Sequence, residues 1–110
     1  MTTTLRHVLI ADDHAIIRQG LKQIIANSGD FIVAAEASTG LAALQSLRER
    51  DFDLLLLDIS LPDRNGIDVL RQARREFPAL PVLMFSMHRE DQYALRALRA
   101  GASGYLNKQG

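Results

Sequence analysis

The side chains that could do chemistry stand where apolar runs stop: Asp12 and Asp13 after residues 7–11, and Asp58 after residues 54–57. Four consecutive leucines without alternation suit a strand covered on both faces, as a central parallel strand between two helix layers is. Asp58 then lies at that strand's carboxyl end, the edge of an open parallel α/β sheet at which ligands bind. An aspartate that caps the following turn is the plain alternative. For the adjacent pair, a helix N-cap and a first-turn acid explain one carboxylate well and the other poorly. If the two strands are neighbours, three carboxylates converge at one rim. At about 4 Å and an effective dielectric near 20, each like-charged pair costs about 4 kcal/mol. A cation or raised pKa values must hold such a cluster together. Oxygen-only ligands favour a hard ion, Mg²⁺ before Ca²⁺, because a small cluster leaves room for water and a phosphate oxygen.

The elements that must position these groups follow from periodicity. After the first strand, Ile17, Leu21, Ile24, Ile25 and Ser28 fall at helical spacing, and the pattern stops at Gly29. Residues 31–35 form a β-branched-rich second strand. Leu41, Leu44 and Leu47 share a face of a helix that Ser38 or Thr39 can cap. After the leucine strand, residues 62–66 make a turn, and Ile67, Leu70, Ala73 and Phe77 define a third helix that Pro78 prevents from continuing. Residues 80–86 are a fourth strand and residues 103–106 a short fifth. Between Arg89 and Ala100 the spacing predicts a fourth helix with Ala94, Ala97, Leu98 and Gly101 on its buried face. Such a face buries much less side chain than its leucine-rich counterparts, so at roughly 25 cal/mol per Å² this helix is expected to be the least firmly docked.

Bulk properties narrow the class. A length of 110 residues suits one domain, and lysine plus arginine balance aspartate plus glutamate at 13 each. The segment lacks the basic excess of a nucleic-acid binder. With no cysteine, disulfides and thiolate metal sites are excluded. The longest apolar run is far below the roughly 20 residues of a membrane span, and the first four residues are no signal peptide. The sequence therefore reads as a soluble cytoplasmic protein.

A β-α repeat argues for a parallel sheet with right-handed crossovers. Strands one, three, four and five then end at one rim with Asp12 and Asp13, Asp58, Ser86 and Lys108. Three carboxylates hold Mg²⁺, while a hydroxyl and an ammonium can meet phosphoryl oxygens. The chain has two lysines against eleven arginines, which makes a lysine here less easily accidental; an exposed cation at a strand end is the bland reading. A phosphoryl-transfer site needs mainly positioning and charge neutralisation, with a carboxylate as nucleophile.

These residues carry a resemblance over essentially the whole chain. Ile10-Ala11-Asp12-Asp13-His14, Leu57-Asp58-Ile59-Ser60-Leu61-Pro62 with Asn65-Gly66, Phe85-Ser86, and the run from Gly101 through Tyr105 to Lys108 resemble the receiver domain of two-component response regulators. Asp13-His14, Arg18-Gln19-Gly20-Leu21 and Gly104-Tyr105-Leu106 further resemble the NarL/FixJ type, in which a LuxR-type helix-turn-helix domain follows and binds DNA. The resemblance implies a flavodoxin-like, doubly wound five-stranded parallel sheet in the order 2-1-3-4-5. It implies that Asp58 accepts a phosphoryl group from a sensor histidine kinase, and that Asp12, Asp13, Asp58 and the Ser60 backbone carbonyl hold Mg²⁺. Lys108 would pair with the phosphoryl group, Ser86 would swing toward it, and Tyr105 would turn inward as the switch aromatic. The fourth helix with strand five would be the bistable element.

Three departures stand beside this. Gln109 occupies the place where many receivers have proline, and a cis non-proline bond costs about 3–4 kcal/mol, so a trans bond is expected. Ser60 and His88 lie two residues after Asp58 and Ser86, where this family modulates phosphoryl lifetime; an exposed helix-start residue is the simpler reading of His88. The sequence stops at Gly110, before the family's fifth helix, and reads as a fragment of a longer regulator. Without that helix, Leu83 and Leu106 are expected to be uncovered, with a homodimer or other self-association through the face beside helix one. A haloacid-dehalogenase-type phosphohydrolase is disfavoured because Ser60 stands where Asp-x-Asp needs its second carboxylate. A flavodoxin-like electron carrier needs hydroxyls and glycine where Asp12-Asp13-His14 stands. A pseudo-receiver that keeps the fold without phosphorylation is a third reading.

Overall fold

The computed structural model describes residues 5–86 and 92–107. Strands and helices alternate: β1 (Arg6–Ala11), α1 (Ala15–Ser28), β2 (Phe31–Ala37), α2 (Gly40–Glu49), β3 (Leu54–Asp58), α3 (Gly66–Glu76), β4 (Val82–Ser86), α4 (Gln92–Arg99) and β5 (Gly104–Asn107). The sheet is parallel throughout, in the order β2-β1-β3-β4-β5. This is the expected doubly wound arrangement. Among the described residues no helix is long and apolar enough to cross a membrane.

The leucine run explains the central strand. Side chains alternate across a strand, so Leu55 and Leu57 enter one core and Leu54 and Leu56 the other. The first core is closed by Leu44 and Leu47 of α2 and by Val69, Leu70 and Ala73 of α3. The second contains Val8, Ile10, Leu56 and Phe85, covered by the half-buried Ile17, Leu21 and Ile25 of α1. No residue of α1 is fully buried, and Ile24, expected on its apolar face, is 68% exposed.

Local signals set the helix boundaries. Thr39, of the two cap candidates, accepts a hydrogen bond from the Ala42 N–H at 3.0 Å. Asn65 caps α3 by accepting from the Ile67 N–H at 2.7 Å. Gly29 ends α1 in the left-handed region, at φ 79°, which a side chain would disfavour.

The fourth helix departs from expectation. Leu98, predicted to be buried, is 50% exposed, while Ala97 is completely buried. Gly101 is exposed and lies past the helix end, where the Gly101 N–H bonds to the Leu98 carbonyl and the Ala102 N–H to the Ala97 carbonyl. This pair of bonds is a Schellman motif, so the buried stripe stops short of Gly101 and is continued by Ala100 and Ala102 against the core. The predicted start at residues 89–91 and the side chain of Ala94 lie outside the described residues.

Candidate functional site

The order β2-β1-β3 makes the first and third strands neighbours, with Ala11 opposite Leu57. Asp12 and Asp58 therefore leave the sheet side by side. Both are buried, whereas Asp13 is exposed. One ligand atom from each of Asp12, Asp13, His14 and Asp58 can be chosen so that all four lie within 4.8 Å of one another. The expected convergence of three carboxylates is present, and an imidazole joins it.

Neither member of the acidic pair caps α1. The N-cap is His14, with no side-chain cap hydrogen bond, and Asp12 Oδ1 instead accepts from the His14 N–H at 2.9 Å. Asp12 is anchored by its own main chain. Its N–H donates to the Ala37 carbonyl at 2.9 Å, and its carbonyl accepts from Arg18 Nη1 at 2.6 Å. Arg18 Nε and Lys22 Nζ both donate to Glu36, tying α1 to β2 beneath the site. Asp12 Oδ2 is buried and, among the described residues, has no hydrogen-bond partner. An orphaned buried carboxylate oxygen costs on the order of 1–3 kcal/mol, a penalty that a cation removes. The donor set thus fits the hard divalent ion expected from the sequence.

Asp58 performs part of the turn-capping role, since its Oδ1 accepts from the Ser60 N–H at 3.1 Å. That bond does not offset its surroundings. Burial first, and then the charge of Asp12, push the Asp58 carboxyl up to about 7. His14 is also held above the ordinary imidazole value. Its hydrogen bond to Asp12 is the main cause, and the charges of Asp13, Asp12 and Asp58 act in the same direction against desolvation.

The remaining predicted residues are placed as follows. Ser60 is exposed and bridges to Asn65 across the β3–α3 turn. Ser86 is completely buried at the end of β4, one residue beyond Phe85, the β4 partner of Asp58. Tyr105 lies in β5 opposite Met84, its side chain outside the described residues. Lys108, His88 and Gln109 also lie outside them. In the sequence, His14 and Arg18 stand only among the marks of the family resemblance, and nothing in their spacing assigns either a role in the site.

The model of the response regulator receiver domain family matches residues 8–110. The chain is a response regulator receiver domain. It is 36% identical over 101 residues to the nitrate/nitrite response regulator protein NarL of Escherichia coli K12, covering 92% of this chain and 47% of that protein. A two-component response regulator of the LuxR family from Aurantimonas sp. SI85-9A1 superposes with a TM-score of 0.91 at 34% identity, over 97% of this chain and 76% of that one. RcsB from Salmonella enterica serovar Typhimurium, bound to the promoter rprA with the phosphomimetic BeF₃⁻, gives a TM-score of 0.89 at 27% identity. That match covers 97% of this chain and 62% of RcsB. The chain spans about half the length of the curated relatives it matches. Receiver domains are signalling switches, and their acidic pocket is of the kind that takes Mg²⁺.

Proposed function

We propose that this receiver domain is a phosphorylation-activated switch in which Asp58 takes a phosphoryl group from a sensor histidine kinase. The observation that carries the reading is the juxtaposition of buried Asp58 with buried, half-satisfied Asp12 at the ends of adjacent strands. An oxygen of Asp58 forms the bond to phosphorus as the phosphorus–nitrogen bond to the kinase histidine breaks, and the electron pair leaves with the imidazole. The Ser60 N–H fixes the carboxylate for that approach. Asp12, Asp13, Asp58 and the Ser60 carbonyl hold Mg²⁺, which supplies charge neutralisation when bound. Ser86 and Lys108 then contact the phosphoryl oxygens, and Tyr105 turns inward with Ser86.

An aspartyl phosphate adds charge and acceptor oxygens, and it shifts a two-state equilibrium by as much as Ser86 and Lys108 prefer it to a bare carboxylate. The element biased is α4 with β5. We assign the output to a LuxR-type DNA-binding domain following this one in the full protein, consistent with the half-length match and with RcsB on its promoter. The working compartment is the cytoplasm, and copies associate through the α1 face.

Intact mass after incubation with acetyl phosphate and Mg²⁺ tests the reading. A gain of one phosphoryl group, absent from Asp58→Asn and lost on mild alkaline hydrolysis, is expected. No gain from a chain that demonstrably binds Mg²⁺ would overturn it in favour of a pseudo-receiver.

A further inference from the structure

The carboxylates are not the only donors at the rim. His14 Nδ1 lies 3.0 Å from Asp12 Oδ1, 3.0 Å from Asp13 Oδ1 and 3.9 Å from Asp58 Oδ2. With metal–ligand bonds of about 2.1 Å, adjacent corners of an octahedron stand about 3.0 Å apart and opposite corners about 4.2 Å. Nδ1 therefore stands to Asp12 and Asp13 as one corner does to its neighbours, and to Asp58 nearly as one does to its opposite.

One further feature points to a ligand here. Asp12 Oδ2 is buried with no hydrogen-bond partner among the described residues, so the cluster is electrostatically incomplete. The imidazole is also held in place by its own backbone, because the His14 N–H donates to the carboxylate that its ring approaches. Asp12 thereby fixes both ends of the residue.

We propose that His14 is a nitrogen ligand of this cation site and raises its affinity for nitrogen-accepting divalent ions, Mn²⁺ among them, relative to Mg²⁺. The inference rests on the metal-site reading above. Mg²⁺ is bound through oxygen and gives up its waters reluctantly, so it gains little from an imidazole; transition ions gain more. In the alternative role Nδ1–H donates a hydrogen bond to Asp12. The two roles are exclusive, since a ligand nitrogen carries no proton.

The test loads the 110-residue chain with Mn²⁺ and reads the bound ion by electron paramagnetic resonance, with pulsed detection of nitrogen coupling, in the parent, His14→Ala and His14→Gln. Mg²⁺ affinity is obtained by competition. The ring caps no helix and its side chain is 56% exposed, so both variants are expected to fold, with circular dichroism as the check. The expected result is an imidazole coupling in the parent, its loss in both variants, and a fall of about threefold in the Mn²⁺ to Mg²⁺ affinity ratio, since Mn²⁺ gains least of the first-row ions from a nitrogen ligand. Mn²⁺ bound with no imidazole coupling, or a coupling that survives in His14→Ala, overturns the role of His14 and leaves the metal site standing. Failure of the parent to bind either ion overturns both.

Discussion

In the proposed switch Asp58 has to react in its ionised form, and its buried surroundings oppose ionisation. Its carboxyl is raised to about 7, mainly by burial, against about 3.8 for the ordinary group. Between those values the folded state keeps a proton that the unfolded chain has released, so stability falls as pH rises, by up to about 4 kcal/mol at 1.4 kcal/mol per unit. His14 acts in the same sense: its raised value gives stability that is fully present below 6.5 and lost as pH climbs through the folded value. In EDTA the urea midpoint should therefore drop between pH 5 and pH 8. Asp58→Asn should flatten most of that slope and gain about 2–4 kcal/mol at pH 8. An equal slope in parent and variant would mean that Asp58 is not strained. Adding Mg²⁺ at about 100 times its dissociation constant should return about 2.7 kcal/mol to the parent at pH 8, and clearly less to Asp58→Asn. The sequence located the three carboxylates because each closes an apolar run. The place of His14 in the cluster is not legible there, because spacing along the chain does not report that the β1–α1 turn folds the ring back over Asp12.

The turn behind Asp58 depends on Gly66, the first residue of α3. Its N–H donates to the Ile59 carbonyl at 2.8 Å, and a methyl group in place of its hydrogen would run into the Asp58 carbonyl oxygen and the Ile59 Cα. Those are backbone atoms at the proposed phosphoacceptor and cannot step aside. Gly66→Ala should cost about 1–3 kcal/mol in urea unfolding and slow phosphoryl acceptance, because relief requires moving the β3–α3 turn. Gly20, inside α1, has no atom within 4 Å of an added methyl group. Gly20→Ala should stabilise by about 0.5–1 kcal/mol, the ordinary helix preference for alanine. If the two substitutions behave alike, the close approach at Gly66 is not what the turn requires. Periodicity located α1, α2 and α3 because leucine and isoleucine recur at helical spacing, although Ile24 and Leu41, expected on the apolar faces, are 68% and 47% exposed. In α4 small residues blur that contrast, and the pattern ran on to Gly101 although the Schellman motif ends the helix before it. Leu98 is therefore half-exposed where the spacing places it on the buried face.

Among the described residues the two faces of the sheet are covered unequally. Toward α2 and α3 the core is closed, with Leu9, Leu55, Leu57 and Met84 fully buried. Toward α1 an open apolar groove of about 660 Å³ runs beside the helix, floored by Leu54, Leu56, Leu83 and Phe85. Leu83, expected to be uncovered, is half-buried and lines this groove, while the side chain of Leu106, expected beside it, lies outside the described residues. Ile16 and Ile24, 86% and 68% exposed, lie on either side of bare Gly20, so apolar surface continues from the groove along the outside of α1. A patch of this kind favours burial, and roughly 25 cal/mol per Å² is recovered when a second copy covers it. Sedimentation should therefore show concentration-dependent association of the 110-residue chain. Ile24→Lys should weaken it at least tenfold, by placing a charge against the facing groove, without lowering the melting temperature of the dilute protein, since Ile24 is mostly exposed. Leu41→Lys serves as the control. That leucine is 47% exposed on α2, away from the groove, and its substitution should leave association unchanged. A monomer at every concentration, or equal effects of the two lysines, would show that the α1 face does not join copies of this chain.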